Sequence, residues 1–378
     1  MPQQPNEQSG HDLHLWKGPR NTKGRPEKDQ KRRTNLLIIY IVSVVSISAL
    51  LAGIGWICAG DILALNKDPH SAIITLKEDD SVTDVADMLK NENLIDYKPL
   101  FKLFCGIAKV EEKGKLSPGT YELNTDMDYN ALVNAMSNRS DNRITAEVTI
   151  PEGYTIDQIF QLLVERGVSS LSTLQDVAAH YDFNFSFLKG VLPLGDYHRL
   201  EGYLFPDTYQ FYMGGGKDEA IQVLNKMILR FDQMFTDEMR LQTVDNGSSI
   251  HKMLTIASLI EKETDGTDQK KISSVIRNRL NHPNYETAGY LQIDASIAYV
   301  TGETVTQADY KDVDSPYNTY LNKGLPPGPI ASPGMVAIQA ALNPETTNFY
   351  YYVLGDDDLH HYFRTNSEFN AYKATLEN

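Results

Sequence analysis

Cysteine is nearly absent. The 378 residues hold two, Cys58 and Cys105. Cys58 closes an apolar run and Cys105 sits within FKLFCGIA. They are not expected to pair, so no disulfide framework exists, and Cys105 reads as a small core residue rather than a nucleophile. The motifs of several enzyme classes are missing as well. There is no GxSxG elbow, no Walker A loop, no HExxH and no CxxC. Of nine histidines, only His360-His361 form a close pair after the apolar run. Adjacent residues on a strand point to opposite faces, so this pair makes a poor metal site, and neither metal nor cofactor is expected. No long internal repeat occurs. Basic charge is concentrated at the start of the chain. Residues 1–35 carry eight cations against four carboxylates, a net +4, so a whole-chain charge of −15 leaves −19 for the rest. That balance excludes a basic nucleic-acid surface for the bulk of the molecule.

What is present begins with one long apolar stretch. Residues 36–58 read LLIIYIVSVVSISALLAGIGWIC, 23 residues without a charge, close to the roughly 20 that span a bilayer. The run is longer than a secretory signal core and follows a polar tail of 35 residues, which favours an uncleaved anchor. Lys31, Arg32 and Arg33 lie directly before it and acidic sequence follows. The positive-inside rule then places the N-terminus in the cytoplasm and everything after about residue 60 outside. The tail itself, poor in apolar residues, is expected to be disordered.

Length leaves room for two or three domains. Residues 70–142 read as a small α/β module. AIITLK (72–77) has strand character, Ser81 caps a helix with Val82, Val85, Ala86 and Leu89 on one face, a second short helix runs from Tyr97 to Gly106, and GTYEL (119–123) reads as a strand. Residues 129–136 form a further helix. A second, mixed α+β domain covers 145–378. AEVTIPEGYT begins it, and Thr155 with Gln158 fits a capping box before IDQIFQLLVERG. Helices are expected over 218–243, 250–264 and 268–281. A Pro/Gly-rich loop follows at 324–334. A strand pair closes the chain around 350–354 and 361–363, with Gly355 and three aspartates at its turn.

The best acid/base candidate ends the helix KMLTIASLIEKETD (252–265). At 100° per residue from Leu254, the apolar Leu259, Ile256 and Ile260 fall at about 140°, 200° and 240°. Glu263 falls at about 180°, inside that stripe, and Glu261 at about 340°, near its margin. A carboxyl in apolar surroundings is held protonated toward neutrality, the property a glycosidic general acid requires. The bland alternative has Glu263 ending the helix and pairing with Lys270 or Lys271.

TIASLIEKET resembles the catalytic helix of the endolytic murein transglycosylases, the MltG or YceG-like family. PEGYT (151–155), EGYLFPDTY (201–209), SSVIRNRL (273–280), LQIDASIAY (291–299), SPYNTYLNKGLPPGPIASPG (315–334) and ALNP (341–344) agree with it in order, from about residue 70 to the C-terminus. The strand–helix–helix–strand order of 70–142 resembles LysM-type modules, which bind N-acetylglucosamine-containing glycans. The resemblance implies internal cleavage of peptidoglycan between N-acetylmuramic acid and N-acetylglucosamine, with a 1,6-anhydro end and no water consumed, a carbon–oxygen lyase reaction. By alignment to the motif, the catalytic residue is Glu263. Glu201, Asp207, Gln292, Asp294, Tyr317, Asn318 and Thr319 are candidates for contacting sugar. Loop fixing is the alternative for Glu201 and Asp207, and helix capping for Asp294. Glu261, Arg277 and Asn278 are placed behind the site. Expected partners are glycan strands, the plasma membrane through 36–58, and proteins of wall synthesis and division. Two other readings remain open: hydrolysis with Glu201, Asp207 or Glu261 as second carboxylate, and a non-catalytic wall-binding scaffold.

Overall fold

The computed structural model describes residues 27–65, 67–111, 114–137, 141–189, 193–264, 266 and 268–376. It divides into two units, residues 1–60 and 61–378.

Among its described residues the first unit is one helix, α1 (Glu27–Ile62, which ends just inside the second unit). Its stretch Lys31–Ile62 is long and apolar enough to cross a membrane, and the apolar side chains from Leu36 to Ile57 are exposed. The helix starts nine residues before the apolar run, so residues 27–35 are helical rather than disordered. EKDQKRRTN contains neither glycine nor proline, and a helix once nucleated extends readily through Glu, Lys, Gln and Arg. Residues 1–26 of the expected tail lie outside the described residues.

The second unit opens with β1 (Ser71–Leu76), α2 (Val82–Asn91), α3 (Lys98–Ala108), β2 (Gly119–Asn124) and α4 (Tyr129–Ala135). β1 and β2 pair antiparallel, Ser71 opposite Asn124 and Leu76 opposite Gly119. Ser81 caps α2 in a full capping box with Asp84. Ile74, Leu76, Val85, Leu89, Phe101, Cys105, Tyr121 and Leu132 build one apolar core. Burial within it pushes the Cys105 thiol up to about 11, which suits an inert packing residue. Asp61, also buried, accepts hydrogen bonds from Lys67 Nζ and from the amides of Asp96 and Tyr97, each at 2.8 Å.

A second core fills the remainder. β3 (Thr145–Thr149) pairs antiparallel with β4 (Thr208–Tyr212), and α5 (Ile156–Glu165), α6 (Leu171–His180) and a short 3₁₀ turn at Tyr197–Leu200 lie between them in sequence. The Thr155–Gln158 capping box opens α5. The single helix expected over 218–243 is two, α7 (Lys217–Met234) and α8 (Asp237–Asp245). Thr236 divides them, because its hydroxyl accepts the Met239 amide and starts a new helix. Next come α9 (Ile250–Glu263), α10 (Gln269–Asn281), α11 (Asp294–Thr301), α12 (Asp309–Asp312) and α13 (Met335–Leu342). β5 (Tyr351–Leu354) and β6 (His360–Phe363) form a hairpin, followed by α14 (Asn366–Leu376).

α9 is the centre of this core. Every side chain from Met253 to Ile260 is buried, with α8, α10, α11 and α13 packed around it. The helix is therefore covered on all sides rather than along one stripe.

Candidate active site

α9 stops at Glu263 because Thr264 turns extended, with φ −159° and ψ 140°. The chain leaves the core there, and Glu263 is half-buried at the rim. Its Oε2 accepts the Tyr352 hydroxyl at 2.6 Å. Oε1 makes no hydrogen bond among the described residues and stays open. Burial raises the carboxyl above its ordinary range. The Tyr352 bond works against that rise, the charge of Asp294 adds to it, and His360 and Arg279 oppose it. Tyr352 itself is held far above its usual value by burial and by Glu263, so it remains a neutral donor. Glu263 forms no ion pair with Lys270 or Lys271; the Lys271 ammonium lies over the Tyr362 ring, 5.6 Å from its centre.

The hairpin supplies the surrounding wall. Its register sets Tyr352 opposite Tyr362 and Leu354 opposite His360. Asp268 accepts Tyr362 Oη at 2.6 Å, Thr264 Oγ1 at 3.0 Å and His360 Nδ1 at 2.9 Å. Burial alone would raise Asp268, but these donors hold it below the usual carboxylate range. Behind them Arg279 is buried, donating Nε to Tyr350 O at 2.7 Å and Nη1 to Leu291 O. Asn278 Nδ2 donates to Thr347 O (3.1 Å) and Phe349 O (2.9 Å), fixing the approach to β5.

The residues singled out from sequence divide into groups. Asp294 is exposed and close enough for its charge to act on Glu263. It does not cap α11: Ile293 holds the N-cap position, and Asp294 accepts the hydroxyls of Tyr320 (2.5 Å) and Tyr310 (3.2 Å), whose rings stack 4.0 Å apart. Gln292, exposed beside it, has φ +51°, a left-handed conformation costly for a side chain of this kind. Tyr317 is half-buried against Tyr299. Asn318 and Thr319 are buried, with their polar groups spent on their own loop. Asn318 Nδ2 serves the carbonyls of Asp309, Tyr310 and Val313, and Thr319 Oγ1 accepts the Ile293 amide. Glu201 is only 2% exposed. Both its oxygens accept the Ile156 amide at 3.1 Å, Tyr299 donates to Oε2, and burial pushes the carboxyl up to about 8. Asp207 is bound to Arg230 Nε at 2.7 Å at the head of β4. Glu201, Asn318 and Thr319 are buried with their polar groups engaged inside the fold, which favours loop fixing over sugar contact, and Asp207 is likewise engaged by its arginine.

Glu261 ties the site to the Pro/Gly loop. Its Oε2 accepts the Gly334 amide at 3.0 Å, and burial raises its carboxyl. Gly153 N donates to Ser332 O and Ser332 N to Tyr154 O, both at 2.8 Å. At Gly202, with φ +80°, an added Cβ would stand 2.6 Å from Pro329 Cβ, so only glycine lets these two loops meet. Hence PEGYT, EGYLFP and the 324–334 loop converge on the end of α9. Beside them is a cavity of about 980 Å³, lined by Thr155, Gln158, Lys262, Tyr299 and Glu303 among others.

Sequence reasoning missed Tyr352, Asp268, His360, Tyr362 and Arg279. The signal available was the alternation of β5 and β6, which puts Tyr352, His360 and Tyr362 on related positions of one hairpin.

A family model described as the YceG-like family matches residues 74–375. A Bacillus subtilis (strain 168) protein named endolytic murein transglycosylase is 30% identical over 323 residues, 82% of this chain and 86% of the relative. A Streptococcus pneumoniae (strain R6) protein of the same name is 27% identical over 361 residues, 87% of this chain and 63% of that protein. The crystal structure of a YceG-like protein from Listeria monocytogenes superposes with a TM-score of 0.51 at 30% identity, covering 80% of this chain and 99% of the other.

Proposed function

The chain belongs to the YceG-like family, and from that membership we infer that it is an endolytic murein transglycosylase in which Glu263 carries the proton. The observation that bears the residue assignment is the asymmetry of its carboxyl. Oε2 is held by Tyr352 at 2.6 Å, Oε1 is open, and burial keeps the group protonated above the ordinary range.

The chemistry follows. Protonated Glu263 donates through Oε1 to the glycosidic oxygen joining N-acetylmuramic acid to N-acetylglucosamine. The C1–O bond breaks, the leaving sugar keeps the proton as a hydroxyl, and positive charge develops at C1. The Glu263 carboxylate, stabilised by the Tyr352 hydroxyl, then accepts the C6 hydroxyl proton as that oxygen attacks C1. A 1,6-anhydro ring forms, Glu263 is protonated again, and no water enters. The exposed Asp294, fixed by two tyrosines, adds its charge to the rise of the Glu263 carboxyl and is available to stabilise the charge at C1. Gln292 and Tyr317 lie at exposed or half-buried positions suited to hydroxyl and ring contacts. The cavity beside Lys262 and Tyr299 gives room for a polymer.

The single apolar helix anchors the enzyme in the membrane. Lys31, Arg32 and Arg33 orient its N-terminus to the cytoplasm and the second unit to the wall side. There the βααβ module serves as a LysM-like glycan contact, beside proteins of wall synthesis and division.

Incubating the protein with purified glycan strands and reading products by mass spectrometry tests the reaction. Anhydro-ended products are expected; reducing ends that have gained a water would establish hydrolysis instead. Glu263→Gln should lower turnover by about 100- to 10,000-fold, as loss of a proton donor typically does, and full activity in that variant would reject the assignment.

A further inference from the structure

At the far end of α9 from Glu263 lies a separate cavity of about 460 Å³. Lys252 of α9, Arg277 and Asn281 of α10, Ser248 of the preceding turn, and Pro326 and Pro327 of the Pro/Gly loop are among its walls. None of its lining residues is an aspartate or glutamate, although the chain carries a net charge of −15.

Its two cations are not consumed by the fold. Lys252 is exposed, and neither it nor Arg277 forms an ion pair among the described residues. Arg277 places Nη2 on Ala341 O at 2.6 Å, while its Nε is buried without a hydrogen-bond partner. Arg277 is half-buried, and a guanidinium with one nitrogen buried unpartnered and no counter-charge gains from an anion beside it. The histidine in the wall is engaged by the fold: His251 Nε2 donates to Pro327 O at 2.8 Å and Nδ1 lies 3.1 Å from Tyr203 Oη. The N-terminus of α9 contributes further positive potential.

Lys252 and Glu263 are also related along the helix. Eleven residues separate them, about 16 Å of rise and about 20° of azimuth. The two ends are therefore about 16 Å apart along the axis, a separation that a polymer of several sugars spans across the elements that cover α9.

We propose that this cavity is an oxyanion site that takes a carboxylate or phosphate borne by the wall polymer while the polymer's glycosidic bond lies at Glu263. Only the identity of the carrier rests on the reading of the chain as a murein enzyme. The free carboxylates of murein's peptide side chains have the required chemistry, and phosphodiester wall polymers share it.

Binding, not turnover, is the test. The full chain carrying Glu263→Gln, in detergent micelles, is titrated calorimetrically with three probes: peptide-bearing murein oligosaccharides, the same oligosaccharides stripped of peptide, and inorganic phosphate. If peptide carboxylates are the ligand, stripping the peptides weakens binding about ten-fold, Lys252→Gln weakens the peptide-bearing probe by a similar factor, and Lys252→Arg restores it. If phosphate is the ligand, inorganic phosphate binds, Lys252→Gln abolishes that binding, and the two oligosaccharides behave alike. Affinities for all three probes that are unchanged by Lys252→Gln would overturn the site while leaving the murein reading intact. Phosphate binding that depends on Lys252, without any oligosaccharide binding, would keep the site and count against the murein reading.

Discussion

At the scale of single residues, the decisive contact is between Tyr352 and Glu263. A hydroxyl donated to a carboxylate favours the charged form, while burial favours the neutral one. In the proposed reaction the two together suit a group that gives a proton and takes one back. Tyr352→Phe removes the donor without changing shape. The Glu263 carboxyl should then titrate higher, moving the alkaline limb of the kcat/KM profile upward by about one pH unit, which corresponds to about 1.4 kcal/mol. The plateau should fall about ten-fold or more, because the carboxylate formed in mid-reaction loses a charge-assisted bond of about 1.5–3 kcal/mol. A pH–rate series on glycan strands reads both changes, and a fall in rate without movement of the limb would mean that Tyr352 acts only in packing. The position of Glu263, partly buried at the end of α9, was legible in the sequence, since helical spacing placed it among apolar positions. Its neighbours were not. Tyr352 and His360 lie 89 and 97 residues further on, in a hairpin whose packing against α10 no local pattern encodes.

At the scale of elements, α9 shows why a stripe calculation falls short. Periodicity marks the most apolar side of a helix, yet Thr255 and Ser258 are as buried as their neighbours, with hydroxyls turned onto His251 O and Thr255 O. The split between α7 and α8 also escaped, because apolar periodicity continues through Thr236 while its hydroxyl starts a new helix. Glu201 is an element-scale group too. It was a candidate for sugar binding because acidic residues beside aromatics suit sugars, but it joins the start of α5 to Tyr299 of α11. Its carboxyl stands at about 8 when folded against an ordinary 4.5. A raised carboxyl favours the fold fully below about 4.5, and that contribution drains away as pH climbs to about 8. Between those values the unfolded chain releases a proton that the folded chain keeps. Glu201→Gln lacks this titration. Compared with the variant, the wild type should lose stability on going from pH 5 to pH 8, by on the order of a few kcal/mol. Denaturant midpoints at both pH values measure it, and parallel curves would show that the carboxyl is solvated.

At the scale of the whole second unit, two apolar cores stand side by side, one in the βααβ module and one around α9. Strand, helix and turn signals suggest two modules, over 70–142 and 145–378. What binds them was not visible, because it depends on partners 76 residues apart. Arg143 Nη1 meets Glu219 Oε1 at 2.7 Å, with side chains 1% and 5% exposed, and the guanidinium lies 4.4 Å from the Tyr212 ring centre. Backbone bonds reinforce the joint, with Thr120 N donating to Met213 O and Ile144 N to Thr120 O, both at 2.8 Å. A buried pair is not stabilising merely by being charged, since desolvation offsets much of the attraction. Removing one member is different, because it leaves the other charge buried alone. Arg143→Met should therefore lower stability by about 3–5 kcal/mol and should separate the two cores in unfolding, so that one calorimetric transition becomes two. Replacing both, Arg143→Met with Glu219→Leu, should return most of that stability while leaving the joint without directional bonds. If the single variant melts as cooperatively as the wild type, the backbone bonds alone couple the cores, and the glycan contact proposed for the βααβ module is held to the site at Glu263 by main chain rather than by charge.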